Sequence, residues 1–185
     1  MRAFLALPVR PPADRPVAAL VDGLRARVAG VRWVSTATTH VTLHFFADLP
    51  TERLASVVGA VGESLSDQPA AVLRPRELGS FPAGRRARVL WLGVEDSAAL
   101  NLLAARVQSA VASCGFAPEE RPFRAHVTLG RPGPRFDRAA WLSELERQPG
   151  IPEFIADRVV LYESRGGHHE REVFALDAPS RAAVP

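Results

Sequence analysis

The tetrapeptide His-Val-Thr-Leu occurs twice in this chain of 185 residues, from His40 to Leu43 and from His126 to Leu129. The two histidines are 86 positions apart, and two similar apolar segments, at Phe4 and at Val89, are 85 positions apart. Because these two separations differ by only one residue, we infer an internal duplication. We therefore predict a single domain, residues 1–185, that contains two sequence repeats, approximately 1–84 and 85–178.

Each repeat has the same predicted order of a strand, an amphipathic helix and a second strand. In the first repeat, apolar residues recur at helical spacing after a Pro-rich joint, at Val17, Leu20, Val21, Leu24 and Val28. Further helices are predicted after Thr51 as N-cap and from Ser97 to a stop at Gly115. This order predicts a bilobal, pseudo-symmetric α+β fold.

The composition suits a globular protein in a reducing compartment. Hydrophobic residues make up 47% of the chain and charged residues 23%, and no apolar run reaches the 18 residues of a membrane span. The single cysteine, Cys114, excludes an internal disulfide and a multi-cysteine zinc site. The opening residues do not resemble a signal peptide, so we expect a cytoplasmic protein.

All 23 basic residues are arginines, which reflects either a GC-rich genome or a need for planar phosphate-binding groups. Their positions are uneven along the chain. They cluster at Arg85, Arg86 and Arg88, and again at Arg121, Arg124, Arg131, Arg135 and Arg138. A local anion-binding surface is therefore predicted.

Each tetrapeptide is expected to present one histidine and one threonine on the same face of a strand. Residues i and i+2 of a strand point the same way, so His40 lies with Thr42 and His126 lies with Thr128. The valines and leucines of the motifs then face a core. If a pseudo-two-fold axis relates the repeats, the two polar faces meet across a groove that holds two imidazoles and two hydroxyls.

Two imidazoles are suited to phosphoryl displacement without a metal. Near the ordinary histidine pKa of about 6.5, one ring can be neutral and accept a proton while the other is charged and donates one. The threonine hydroxyls can donate hydrogen bonds to the non-bridging phosphate oxygens. A single His-x-Thr is more often an ordinary half-buried pair, but its repetition at duplicated positions favours a catalytic site.

These motifs resemble those of the 2H phosphoesterase superfamily, and within it those of the RNA 2′,3′-cyclic phosphodiesterases, also called 2′-5′ RNA ligases. The resemblance covers nearly the whole chain, through the segments RAFLALP, HVTLHF, ELGSFP, ARVLWLGV, PFRAHVTLGR and LYESR. It implies two lobes, each an antiparallel sheet with helices outside, and a central groove between them. The segment GGHHEREVF lacks the aromatic residue that often follows the glycines in this family.

The resemblance also implies a role for each site residue. His40 would be the general acid that protonates O3′ of a 2′,3′-cyclic phosphate, and His126 the general base that activates water, although the duplication makes these roles nearly interchangeable on the residues alone. Thr42 and Thr128 would bind the substrate, and Arg131 would contact its phosphate. Neither a metal nor another cofactor is expected.

The expected partner is RNA with a 2′,3′-cyclic phosphate end, tRNA fragments being one candidate, and the protein is expected to be a monomer that does not bind membranes. If a 5′-hydroxyl RNA replaced water, the reverse reaction would join two ends through a 2′-5′ bond. Two alternatives stay open. One is an enzyme for a small cyclic nucleotide or ADP-ribose cyclic phosphate, and the other is a non-catalytic module that binds RNA ends.

Other side chains are weaker candidates for function. His40 and His44 have a metal-binding spacing only on a helix, because four residues of a strand span about 13 Å. His168 and His169 are expected in a solvated hairpin loop. Four aromatic residues are first of all core candidates, although one of them could stack a nucleobase: Phe45, Phe46, Phe81 and Trp91.

Overall fold

Ten strands and four α-helices form the part of the chain that the computed structural model describes, residues 1–83, 86–117 and 121–178. The helices are α1 (Asp14–Arg27), α2 (Thr51–Leu65), α3 (Ala98–Ser113) and α4 (Arg138–Leu145). The strands are β1 (Ala3–Pro8), β2 (Val31–Trp33), β3 (His40–Phe46), β4 (Ala71–Leu73), β5 (Pro75–Phe81), β6 (Val89–Val94), β7 (His126–Pro132), β8 (Phe154–Ala156), β9 (Arg158–Ser164) and β10 (His168–Ala175). The predicted α+β class is confirmed.

Eight of these strands form one sheet in the order β10-β9-β1-β3-β7-β6-β5, with β2 paired to β7. All of the neighbouring strands in this sheet are antiparallel. The two lobes therefore share a sheet, because β3 and β7 pair at its centre. Val41 and Val127 are the one residue pair that joins these two strands within the described ranges. The central strands consequently diverge on either side of this pair.

The order of the strands is symmetric about the β3–β7 contact, as expected for a duplication. On one side β3 is followed by β1 and β9, and on the other side β7 is followed by β6 and β5. The two repeats exchange strands, however. The second repeat supplies β9 and β10 to the side that holds β1, and the first repeat supplies β5 and β2 to the side that holds β6 and β7.

The two faces of the sheet have different environments. On β1, Ala3, Leu5 and Leu7 belong to the main core, which also contains the buried apolar residues of α1, α2 and α3. The alternate residues Phe4 and Ala6 lie in a small second cluster with Val160 and Tyr162. Because alternate residues of a strand face opposite sides, helices cover one face of the sheet and leave the other face for the site.

The local signals for helix ends are partly confirmed. The Ser97 side chain caps α3 by accepting a hydrogen bond from the backbone nitrogen of Leu100 at 3.2 Å, and Gly115 follows the helix with a left-handed φ of 78°. The prediction that Thr51 caps α2 is wrong. Thr51 is the first residue of that helix, and Pro50 occupies the capping position in an extended conformation.

None of the helices in the three described ranges combines the length and the apolar character that crossing a membrane requires.

Candidate active site

The β3–β7 contact places the two tetrapeptides side by side at the centre of the sheet. Val41 lies opposite Val127, and both valines are fully buried in the main core. In an antiparallel register, this pairing sets His40 beside Thr128 and Thr42 beside His126. The four polar residues are each half-buried and point away from the valines. The sequence prediction that these residues share a groove is thus consistent with the strand register.

The His40 ring is oriented by its own backbone. Its Nδ1 atom donates a hydrogen bond to the carbonyl oxygen of Thr38 at a distance of 2.8 Å. A carbonyl oxygen only accepts, so Nδ1 carries a hydrogen and Nε2 is the nitrogen that can exchange a proton. Phe4 stacks on the same ring, with centroids 4.6 Å apart. The ring is therefore held in one plane and one tautomer.

The His126 ring is held in the same way on the other repeat. Its Nδ1 atom donates to the carbonyl oxygen of Arg124 at 2.7 Å, again two residues earlier in the chain. The edge of Phe81 contacts the ring, with centroids 5.1 Å apart. Both histidines thus keep Nε2 available for a proton, which is the arrangement that a paired acid and base require.

The surroundings of both histidines favour the neutral imidazole. Burial lowers the pKa of His40 from 6.5 to about 4; the hydrogen bond to Thr38 opposes this shift, and the charges of His168 and His126 add to it. Burial is also the largest cause that lowers the pKa of His126, with a further contribution from the charge of Arg124. Each ring is therefore more readily neutral than a free imidazole.

A cavity of about 430 Å³, which we call the His40 cavity, opens beside the first histidine. It is lined by residues of both central strands, among them Thr42, Thr128 and Arg131. Arg131 is exposed, and no ion pair within residues 1–83, 86–117 and 121–178 involves it. Four of the five predicted site residues therefore meet at one cavity, where an arginine is available to an anion.

A second cavity of about 640 Å³, which we call the His126 cavity, opens beside the second histidine. Thr42 lines both cavities, so the two are neighbours along the groove. The walls of the His126 cavity include Phe81, Phe123 and Arg124. The guanidinium of Arg124 lies over the Phe81 ring at 5.6 Å from its centroid.

The arginines that the sequence grouped together separate in the structure. Arg131 lines the His40 cavity, whereas Arg121 and Arg124 line the His126 cavity. Arg86 is exposed and lines neither of them, and Arg85 lies outside the described residues. The arginines that line the groove in this region therefore come from the segment that contains and flanks the second tetrapeptide.

The structure places His44 away from His40. A β-bulge leaves Leu43 without a partner on β1, because Leu5 pairs with His44 and Ala6 pairs with Thr42. The alternation of side chains shifts at this point. His44 becomes buried against Gln108, whose Oε1 atom lies 3.1 Å from its Nδ1 atom. In the described part of the chain, no three histidine, cysteine or acidic side chains are grouped as metal ligands would be.

The same bulge turns an aromatic residue into the site. Phe45, which is 40% exposed, lines the His40 cavity together with Thr42 and Arg2. The guanidinium of Arg2 lies 5.5 Å from the centroid of the Phe45 ring. Of the four aromatic candidates, Phe45 therefore offers a platform in the His40 cavity, while Phe46 is a core residue.

His168 is a residue of the site that the sequence analysis missed. It is the first residue of β10 and is exposed, but it lines the His40 cavity and contacts the His40 ring, with centroids 5.3 Å apart. The β9–β10 hairpin brings it there through the pairing of β9 with β1. His168 and His169 are exposed, as expected, but both lie on strand β10 and pair with β9 rather than lying in a loop. Only this long-range pairing places His168 beside His40.

Comparison with protein families supports the motif analysis. The family model of the 2′-5′ RNA ligase superfamily matches residues 11–168. The RNA 2′,3′-cyclic phosphodiesterase of Methanothermobacter thermautotrophicus is 33% identical over 136 residues, which cover 73% of each chain. The enzyme of the same name from Thermotoga maritima is 28% identical and covers 89% of this chain and 87% of its own. The one from Geobacillus stearothermophilus is 29% identical, and the match spans 51% of its length.

Solved structures match the fold over nearly the full length. The protein TT0787 of Thermus thermophilus has a TM-score of 0.81 and 21% identity, with 96% of this chain and 99% of that chain covered. E. coli LigT in its apo form has a TM-score of 0.76 and 23% identity, with coverages of 95% and 97%. The chain carries its two tetrapeptides on paired central strands and matches these relatives over most of its length. It therefore belongs to the 2′-5′ RNA ligase superfamily, the family of the RNA 2′,3′-cyclic phosphodiesterases.

Proposed function

We propose that this protein is an RNA 2′,3′-cyclic phosphodiesterase that opens the terminal cyclic phosphate to a 2′-phosphate without a metal. One observation carries the proposal. Two histidines on paired strands each donate Nδ1–H to a backbone carbonyl, which leaves two Nε2 atoms on the groove as one acid and one base. The relatives from Thermotoga maritima and Methanothermobacter thermautotrophicus are named for the same activity.

The reaction needs one proton removed and one proton supplied. His126 in its neutral form takes a proton from water as the oxygen attacks phosphorus. His40 in its charged form gives a proton to O3′ as the bond between phosphorus and O3′ breaks. The product has a free 3′-hydroxyl and a 2′-phosphate. The hydroxyls of Thr42 and Thr128 would donate hydrogen bonds to the two non-bridging oxygens, and Arg131 would balance their negative charge.

The assignment of His40 as the acid is supported by the shape of its cavity. The leaving O3′ belongs to the nucleoside that carries the phosphate, so that nucleoside must lie on the side of the acid. The His40 cavity contains the exposed ring of Phe45, on which a base can stack. Its volume of about 430 Å³ is within the range of small-molecule sites and suits a single nucleotide. The E. coli LigT structure with bound 3′-AMP supports a nucleotide ligand in this fold.

RNA is the proposed substrate because of the relatives and the exposed arginines. A cyclic mononucleotide and ADP-ribose cyclic phosphate would present the same reacting phosphate, so substrates must be compared directly. A short RNA with a 2′,3′-cyclic phosphate end would be tested beside these two small compounds, each with and without EDTA. We expect hydrolysis to the 2′-phosphate with the highest kcat/KM on the RNA.

Each other outcome points to a different function. A 3′-phosphate product would contradict the assignment of the leaving oxygen. Activity that disappears in EDTA and returns with a divalent ion would contradict the metal-free mechanism. A higher kcat/KM on a small cyclic compound would favour the second enzyme class, and tight binding without turnover would favour a module that only captures RNA ends.

A further inference from the structure

The β-bulge at Leu43 on β3 has a counterpart on β7. There, the pairing with β6 shifts between Leu90 and Trp91 and leaves Leu129 without a partner on that strand. Leu43 and Leu129 are 86 positions apart, the same separation as the two histidines of the tetrapeptides. Both repeats therefore have a bulge directly after the threonine of the tetrapeptide, where a bulge can redirect the neighbouring side chains.

The carbonyl oxygens of the two bulged leucines accept hydrogen bonds from different kinds of donor. The oxygen of Leu129 accepts from the backbone nitrogen of Val34 at 2.9 Å. Val34 directly follows β2, the short strand that pairs with β7. The oxygen of Leu43 accepts instead from the side-chain nitrogen Nε2 of Gln108. A glutamine of α3 thus provides for β3 the donor that a strand backbone provides for β7.

Gln108 is a polar residue on the buried face of α3. Ala104, four residues earlier, and Val111, three residues later, are buried in the main core. Both ends of its amide are bonded within the protein, because Nε2 donates to Leu43 and Oε1 lies 3.1 Å from Nδ1 of His44. An unbonded amide would be costly on this apolar face, so the two bonds determine how Gln108 is held.

The peptide that Gln108 holds is next to a residue of the candidate active site. Leu43 directly follows Thr42, whose hydroxyl would donate to a non-bridging oxygen of the phosphate. A bulge interrupts the hydrogen bonds of a strand ladder, so the backbone there needs another fixed partner if Thr42 is to keep one direction. Thr42 and Gln108 both line the His126 cavity, so the amide lies close to the threonine that it would orient.

We propose that Gln108 is a positioning residue, whose amide fixes the bulged Leu43 peptide and thereby the direction of the Thr42 hydroxyl. This inference rests on the proposed phosphodiesterase function, to which it adds a residue outside the two tetrapeptides. Because Thr42 donates to charge that grows in the transition state, the effect of Gln108 falls on kcat rather than on KM. The second repeat does not need such a side chain, because the backbone of Val34 holds the Leu129 peptide.

Two substitutions separate the two hydrogen bonds of the amide. Gln108→Met keeps the length of the side chain and removes both bonds. Gln108→Glu keeps an oxygen for His44, but in its ionised form it has no hydrogen to donate to the Leu43 carbonyl. Gln68→Met is the matched control, because Gln68 is a buried glutamine whose Nε2 donates to the carbonyl of Pro69 and which lines neither cavity. Thermal unfolding of each variant checks that it is folded.

Both Gln108 variants should be slower enzymes with nearly unchanged substrate affinity. On cyclic-phosphate RNA, we expect kcat to fall about ten- to a hundredfold, the loss that a small misplacement of a group at the reacting centre causes, with KM changed by less than about threefold. Gln68→Met should lower Tm but leave kcat and KM close to those of the unmodified protein.

A double-mutant cycle with each threonine tests the route of the effect. In Thr42→Val, no hydroxyl is left to orient, so adding Gln108→Met should lower kcat little further. In Thr128→Val, the Thr42 hydroxyl is still present, so adding Gln108→Met should cost its full factor. General loosening of the fold by Gln108→Met would instead give the same additional loss in both backgrounds.

Four results would overturn the positioning role. They are full kcat in folded Gln108→Met, full kcat in Gln108→Glu, a loss confined to KM, and equal additional losses in the Thr42→Val and Thr128→Val backgrounds. Full kcat in Gln108→Glu would mean that the bond to His44 is sufficient. Absence of hydrolysis in the unmodified protein would instead refute the phosphodiesterase function itself, so the two failures are distinguishable.

Discussion

His168 contacts His40 edge to face, with ring centroids 5.3 Å apart, although the two residues belong to opposite halves of the chain. The charge of His168 is one of the causes that lower the pKa of His40. The pKa of His168 is itself lowered, first by burial and then by the charge of His169, while a hydrogen bond to the backbone of Thr38 opposes the shift. The carbonyl that orients His40 is therefore also near a second imidazole.

Replacing His168 should alter the pH dependence of catalysis. In His168→Gln, one charge that disfavours the His40 imidazolium is lost, so the pKa of His40 should rise. Because the limbs of the kcat/KM profile belong to the coupled pair, the profile should then move to higher pH. His169→Gln is the matched control, because His169 is the neighbouring exposed histidine and does not line the cavity. Equal profiles for His168→Gln and the unmodified protein would refute the coupling.

Both histidines of the tetrapeptides should be required for turnover. His40→Ala and His126→Ala should each reduce the rate about 10²–10⁴-fold, the usual contribution of one general acid or base. The double variant should lose much less than the product of the two factors, since the residues act in one step. A folded single variant that keeps full turnover on cyclic-phosphate RNA would exclude the two-histidine mechanism.

The activity of the free enzyme should be highest on the acidic side of the ordinary histidine pKa. Burial lowers the pKa of His40 to about 4 and also lowers that of His126, so the acid loses its proton and the base becomes neutral below pH 6.5. We expect a bell-shaped kcat/KM profile with its maximum below pH 6.5, whose limbs belong to the pair. In the enzyme–substrate complex, the phosphate anion favours the imidazolium form of each histidine and so raises their pKa values. The kcat profile should therefore lie at higher pH than the kcat/KM profile. A kcat/KM maximum above pH 7 would contradict this prediction.

Removing Arg131 should weaken interaction with the phosphate. Arg131→Ala should lose about 1.5–3 kcal/mol of transition-state stabilisation, the usual range for a charge-assisted hydrogen bond. This loss corresponds to a decrease in kcat/KM of roughly ten- to a hundredfold. Arg135→Ala serves as the control, because Arg135 is exposed and lines neither cavity. Equal kcat/KM values for the two variants would remove Arg131 from the site.

A glycine of β5 faces the indole ring of Trp91, which lies beside the His126 ring. Gly79 lies opposite Trp91 in the β5–β6 pairing, and a Cβ atom there would be 2.2 Å from the indole ring. Gly79→Ala should therefore destabilise the fold by about 1–3 kcal/mol and lower Tm. Gly59→Ala is the control on α2, where a Cβ meets nothing within 4 Å and where alanine favours the helix. A Gly79→Ala protein as stable as the unmodified one would contradict the close contact.

The sequence was sufficient for features that depend on local periodicity and on the repeat. The two tetrapeptides, the helix that begins after Ser97 and the α+β order follow from neighbouring residues. Phe45 and His168 were not predictable in this way. Phe45 reaches the His40 cavity because of a bulge at Leu43, and His168 reaches it because β9 pairs with β1. Neither a bulge nor a distant strand pairing leaves a pattern in the residues nearby.

Strands near the end of each predicted repeat pair with strands of the other repeat, an arrangement similar to a domain-swapped dimer within one chain, so the two repeats form a single cooperative unit. Separating the repeats would remove β9 from β1 and β5 from β6 and would expose unpaired sheet edges on both sides. Neither half is therefore expected to fold by itself. The two histidines, although each belongs to its own predicted repeat, are then placed in the same folding event.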